Sequence, residues 1–165
     1  MFVVGLLLII VLAATFHIAV HLRSPRATQR VAEIFLVYLL VGYYGLGMIL
    51  SATVHLLNPM AIGQLKGWVP SRPFQALYAF ALLGLAASAL LTAWLRGSYV
   101  LAPAISGSLL LFGGAYVHGS EILAAGHFSV ARDGPEVLSD FLVPVTVLCL
   151  AAVHWRYLRI GAARV

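Results

Sequence analysis

The stretch MFVVGLLLIIVLAATFHIAVHLRSPRATQR (residues 1–30) decides what kind of molecule this is. Residues 2–22 are an apolar run of the length that crosses a hydrocarbon core, which takes roughly 20 residues. A secretory signal carries its positive charge ahead of such a run. Here Arg23, Arg26 and Arg30 follow it. The run therefore reads as an uncleaved first transmembrane helix with its N-terminus outside.

The rest of the chain has the same character. Hydrophobic residues make up 62% of its 165 positions and charged residues 9%, with a mean hydropathy of +1.02. A soluble domain carries about a quarter charged residues, so lipid is the main solvent. The net charge of +5 does not point to nucleic acid, because the basic residues sit in short runs between apolar segments, as membrane topology requires. One lysine against nine arginines fits an Ala/Leu/Arg-rich bacterial composition and a bacterial cytoplasmic (inner) membrane. The single cysteine, Cys149, forms no intrachain disulfide and is expected to pack as an apolar side chain.

Five spans follow, at about 2–22, 31–57, 74–95, 100–123 and 141–157, so the fold class is all-α. The chain reads as a single integral-membrane domain over 1–165, a polytopic membrane helix bundle of five transmembrane helices. With the N-terminus outside and the C-terminus cytoplasmic, Arg23, Arg26, Arg30, Arg96, Arg156, Arg159 and Arg164 lie inside, while Lys66, Arg72 and Arg132 lie outside. That bias sets the orientation. The larger loops, 58–73 and 124–140, are then external. Pro59, Pro70 and Pro73 stop and restart helices. Pro103 and Pro144 fall in or near a helix's first turn. Trp68, Trp94, Tyr99, Trp155 and Tyr157 fall where an aromatic belt belongs.

Small residues let membrane helices approach. Gly47, Ser51 and His55 recur at four-residue spacing in the second span. Gly107, Leu111, Gly114, His118 and Glu121 follow one face of the fourth. Gly84 and Ser88 pair in the third. His55 and His118 are thus expected to point into the bundle near its outer end.

Ionisable groups in membrane segments are functional candidates by default. The stretch HGSEILAAGH (118–127) supplies His118 and Glu121, three apart on one face, and His127 in the following loop. His55 and Asp140 are expected at the same level. Asp140 alone reads equally well as a helix N-cap, and His118 as a hydrogen bond to a neighbouring helix. Glu121 stands at the unfavourable end of its helix dipole, which asks for a partner. Together, His55, His118, Glu121 and Asp140 can hold a metal, relay protons or act as acid and base on a lipophile. A second set lies at the inner end, with His17 and His21 in HIAVH (17–21) and His154 on the fifth span. Facing pairs, His55 with His118 and His17 or His21 with His154, are the pattern of a two-haem protein. The other account is interfacial histidines beside Arg23 and Arg156. In loop 58–73, Gln64, Lys66, Trp68 and Arg72 are placed to cover the outer site, or to anchor an interfacial segment. Gln75 lies just inside the third span.

The motifs GWVPSRPFQ (67–75), LFGGAYVHGSEILAAGHF (111–128), GPEVLSDFLVP (134–144) and ATVHLLNP (52–59) resemble a family of small bacterial multi-helix membrane proteins catalogued only as a domain of unknown function. The resemblance covers about residues 40–155, leaving His17 and His21 outside it. It implies a histidine at the positions of His55 and His118 and an aspartate at that of Asp140. The stretch FSVARDGPE (128–136) departs from the family's asparagine-rich loop, so no role for Arg132 or Asp133 follows. The resemblance implies fold and location but no activity.

Three functions fit these residues. One is a polar site near the outer face that binds a metal, haem or lipophilic small molecule. The second is an acid–base isomerase or cyclase acting on a membrane lipid. The third is a non-catalytic structural or assembly subunit, in a homo-oligomer or beside other membrane subunits. Membrane lipids are expected partners of all three.

Overall fold

The computed structural model describes residues 2–21, 27–61 and 71–162. Among these, α1 (Phe2–His21) stands alone. A continuous rod follows, made of α2 (Ala27–Tyr38), a π-helical segment (Leu39–Gly47) and α3 (Met48–Leu57). Next come α4 (Arg72–Leu91), a 3₁₀ turn (Gly97–Val100) and α5 (Leu101–Ala125). A second continuous rod closes the chain: α6 (Val130–Val137), a π-helical segment (Leu138–Leu142) and α7 (Val143–Ala162). No strand occurs among the described residues. Five helical stretches are long and apolar enough to cross a membrane: 3–20, 30–57, 72–91, 97–125 and 138–160.

Helix ends follow local chemistry. Ser71 caps α4, its Oγ accepting from the Phe74 N–H at 3.4 Å, with Pro73 just inside the first turn. Gly126 ends α5 in the left-handed region (φ +69°), its N–H reaching the carbonyls of Ile122 and Leu123.

The segment expected as loop 124–140 instead contains α6, so Asp140 lies inside a rod rather than capping a new helix. Gly134 and Pro135 suggest a loop, yet the helix runs through both, Pro135 withholding one N–H from the carbonyl four residues back. Pro144 also lies well inside this rod. It offers no N–H to the Asp140 carbonyl and its ring crowds that oxygen. The wider π turn at Leu138–Leu142 lies where this conflict falls.

The first rod packs along α4, α5 packs on α7, and α2 also meets α7. Leu36, Leu40, Tyr44, Ala52, Ala79, Leu82, Ala86, Ala89, Val100, Ala104 and Val147 form the centre of the core. The contact stripes differ in part from those expected. Ser51 is exposed, the buried register being Met48 and Ala52. Gly84 faces open space, and α4 packs instead through Ala79, Leu82, Ala86 and Ala89. Gly107 does serve a close approach: the Tyr44 ring lies flush on it, and the Tyr44 hydroxyl meets Ser108 Oγ at 2.9 Å.

Helix α1 is peripheral. It buries Ile10 and Ala14, with Ile10 seated on Gly42 of the first π segment, and exposes Leu8, Ile9, Leu12 and Phe16. Such apolar exposure suits a lipid-facing surface. Cys149 is likewise exposed on α7, contrary to the packed position expected, because it lies off the Val147–Ala151 face.

At one end of the bundle Trp94, Arg96, Trp155, Arg156 and Arg159 are exposed, with the Arg159 guanidinium 5.9 Å from the Trp155 ring. The opposite end carries the polar cluster.

A candidate polar site between the two π-helical segments

The cluster is built on α5 and the second rod. His118 Nδ1 lies 2.8 Å from Asp140 Oδ2, and the two side chains are only 12% and 13% exposed. The approach is close but lacks the alignment of a directed hydrogen bond. Gly114, one turn before His118, makes room for it. A Cβ there would stand 2.7 Å from Asp140 Oδ2.

The other carboxylate oxygen, Oδ1, accepts from Ser139 Oγ at 2.7 Å. Tyr43, from the first π segment, bonds the Ser139 side chain and lies in electrostatic range of Asp140. A serine hydroxyl has one proton to give, so Tyr43 donates to Ser139 and Ser139 to Asp140. The result is a directed chain from Tyr43 through Ser139 to Asp140, with His118 beside the carboxylate. Tyr43, Ser139 and Asp140 all belong to π-helical segments, which recur at functional sites.

A second arm runs between α3 and α4. His55 Nδ1 donates to Gln75 Oε1. Gln75 is 1% exposed, and for so buried an amide that bond offsets desolvation. The Tyr78 ring packs edge-on against His55, centroids 4.9 Å apart, and Tyr78 is also in electrostatic range of Asp140. Tyr78 thus joins the two arms. Beside His55 an open cavity of about 350 Å³ is lined by His55, Leu56, Leu57, Pro59, Arg72 and Ala76.

The expected residues separate as follows. His118 and Asp140 meet directly. His55 lies in the second arm, bonded to Gln75 rather than to His118. Glu121 is exposed in the last turn of α5. Seven residues past Gly114, it keeps nearly the same side of α5 but lies a turn beyond His118. His127 is exposed beyond Gly126, its Nδ1 donating to the Ala125 carbonyl at 3.0 Å. Among the described residues no three His, Cys, Asp or Glu side chains gather as a metal-ligand set.

At the far end, His17 Nδ1 contacts the Tyr38 hydroxyl at 3.0 Å. His154, 2% exposed, donates from Nε2 to the Gly97 carbonyl at 3.0 Å. The nitrogen that an axial haem ligand would present is therefore already engaged. The His21 side chain and residues Gln64, Lys66 and Trp68 lie outside the described residues.

Tyr43, Tyr78 and Ser139 were not singled out from sequence. Their signals, GYYG (42–45) in a π-helical segment and a serine beside Asp140, are too common to stand out.

No curated protein and no solved structure matched the chain. A family model did, over residues 1–159, extending past the expected 40–155 to take in α1. The chain belongs to the family of unknown function DUF6790.

Proposed function

We propose that this protein binds a small amphiphilic molecule within the membrane, at the polar site around His118 and Asp140. The observation that carries the reading is the burial of that pair, at 12% and 13% exposure, against a glycine that leaves it space. A buried polar pair of this kind is weak support for stability, since well-packed apolar side chains of similar volume often do as well or better. An apolar bundle that keeps one, and adds Ser139 and Tyr43 to it, is furnished for a polar group that comes and goes. The ligand class is a lipophile with a hydroxyl or carbonyl head, reaching the site from the membrane.

The orientation we propose places this end outside a bacterial cytoplasmic membrane. The support is the positive-inside bias: Arg30, Arg96, Arg156 and Arg159 belong to the opposite end and Arg72 to this one.

Organic extracts of the purified protein, compared by mass spectrometry with those of Asp140→Asn and His118→Gln, test the reading. A compound retained by the parent chain and lost from both variants supports it. Identical extracts from all three would end it.

The Tyr43–Ser139–Asp140 chain, with His118 against its end, favours a second reading, acid–base isomerisation or cyclisation of a membrane lipid. Deuterium from solvent should then appear at a carbon of that lipid. Lipid recovered without label would rule this out.

A further inference from the structure

The cavity beside His55 combines features that the buried pair does not need. Arg72 lines it, stands at the first position of α4 and makes no ion pair or hydrogen bond with any described residue. A cation is unfavourable at a helix N-terminus, where the macrodipole is already positive. His55 gives Nδ1 to Gln75, and its Nε2 has no partner among the described residues. Leu56, Leu57, Pro59 and Ala76 supply apolar wall. The cavity lies where the stretches 30–57 and 72–91 end, the depth of the lipid headgroups rather than of the acyl core.

From this placement we infer that the cavity holds the phosphodiester of a glycerophospholipid. The Arg72 guanidinium takes the phosphate through its planar fork. When both ring nitrogens carry hydrogen, His55 offers Nε2–H to the same anion. The upper acyl chain lies along Leu56, Leu57 and Ala76. The anion also relieves the unfavourable placement of Arg72 at the helix end. The inference stands beside the proposed function, since it concerns the mouth of the α3–α4 arm and not the His118–Asp140 pair.

Native mass spectrometry of the full chain in detergent tests it, with dioleoyl phosphatidylglycerol and dioleoylglycerol as probes. The two share their tails and differ in the phosphate. The expected result is one retained phosphatidylglycerol per chain, with dioleoylglycerol at least about tenfold weaker. Arg72→Gln should lose about tenfold in affinity for phosphatidylglycerol, and Arg72→Lys less, because it keeps the charge without the fork. Helical content by circular dichroism checks that both variants fold. Equal binding of the two lipids, or parent-like binding by a folded Arg72→Gln, would overturn the inference. Displacement of the lipid by millimolar inorganic phosphate would overturn it too, in favour of a free-phosphate site. Gly84→Ala, at an open position on α4 outside both sites, should bind phosphatidylglycerol unchanged, and a loss there equal to that of Arg72→Gln would mean that the Arg72 effect is structural and the assignment fails. If Arg72→Gln binds normally while Asp140→Asn loses its own extracted ligand, only the present inference falls.

Discussion

The Asp140 carboxylate occupies the space that a side chain at residue 114 would need: a Cβ on Gly114 would come within 2.7 Å of Oδ2. The glycine therefore does more than bring two helices together. It provides the floor of the polar site.

Gly114→Ala should accordingly displace Asp140 from His118 and destabilise the bundle by about 1–3 kcal/mol through overpacking. Gly113→Ala, one position away and facing open space, should be neutral or stabilising by up to about 1 kcal/mol. Thermal unfolding of both variants in detergent, with ligand retention measured alongside, checks the pair. Equal behaviour of the two alanines would contradict the geometry.

Removing one member of the buried pair leaves the other uncompensated. His118→Ala or Asp140→Ala should each cost on the order of 3 kcal/mol, and the double variant clearly less than the sum. A double-mutant cycle from detergent unfolding curves measures that coupling. Additive losses would mean that the 2.8 Å contact carries no interaction.

Gln75→Leu should leave the His55 Nδ1–H without its acceptor, at a cost of about 1–3 kcal/mol. Phosphatidylglycerol binding should weaken, since His55 is no longer held at the cavity wall. Gln75→Glu keeps an acceptor oxygen at the same place and should hold the ring better than leucine does. Melting temperature and lipid affinity, read on both variants, distinguish these outcomes.

On the core side, Tyr44→Phe should cost about 1 kcal/mol through loss of the hydroxyl contact with Ser108. Gly107→Ala should cost more, because its Cβ meets atoms of the rigid Tyr44 ring rather than a flexible chain end. Unfolding midpoints of the two variants rank the effects.

The apolar runs made the five spans legible, because membrane length and hydropathy constrain a helix from end to end. The approach of His118 towards Asp140 was partly legible too, since Gly107, Gly114 and His118 share one face of α5. Helical phase within the spans was not. Ser51 and Gly84 lie off the packed faces because tertiary contacts choose among small residues that sequence alone ranks equally. The π turns shift register beyond what a 3.6-residue repeat can follow, so Tyr43 and Ser139 went unnoticed. Pro135 and Gly134 outweighed the continuing helix at Val130–Val137, which made Asp140 look like the start of a span.

The two π-helical segments give the site an unusual dependence on chain length. A π turn holds about one residue more than the α-helical turn it replaces. Removing a single residue from Leu138–Leu142 would let that rod close into regular α-helix. The helices on either side would keep their relative rotation, while the residues left inside the turn, Asp140 among them, would shift around the axis. The apolar profile of the span would barely change, and the helix would still be long enough to cross. Asp140, however, could no longer face both Gly114 and Tyr43. A one-residue deletion could therefore leave an intact membrane bundle with its polar site dismantled, and comparing lengths between Pro135 and Pro144 would separate relatives that keep the site from those that have lost it.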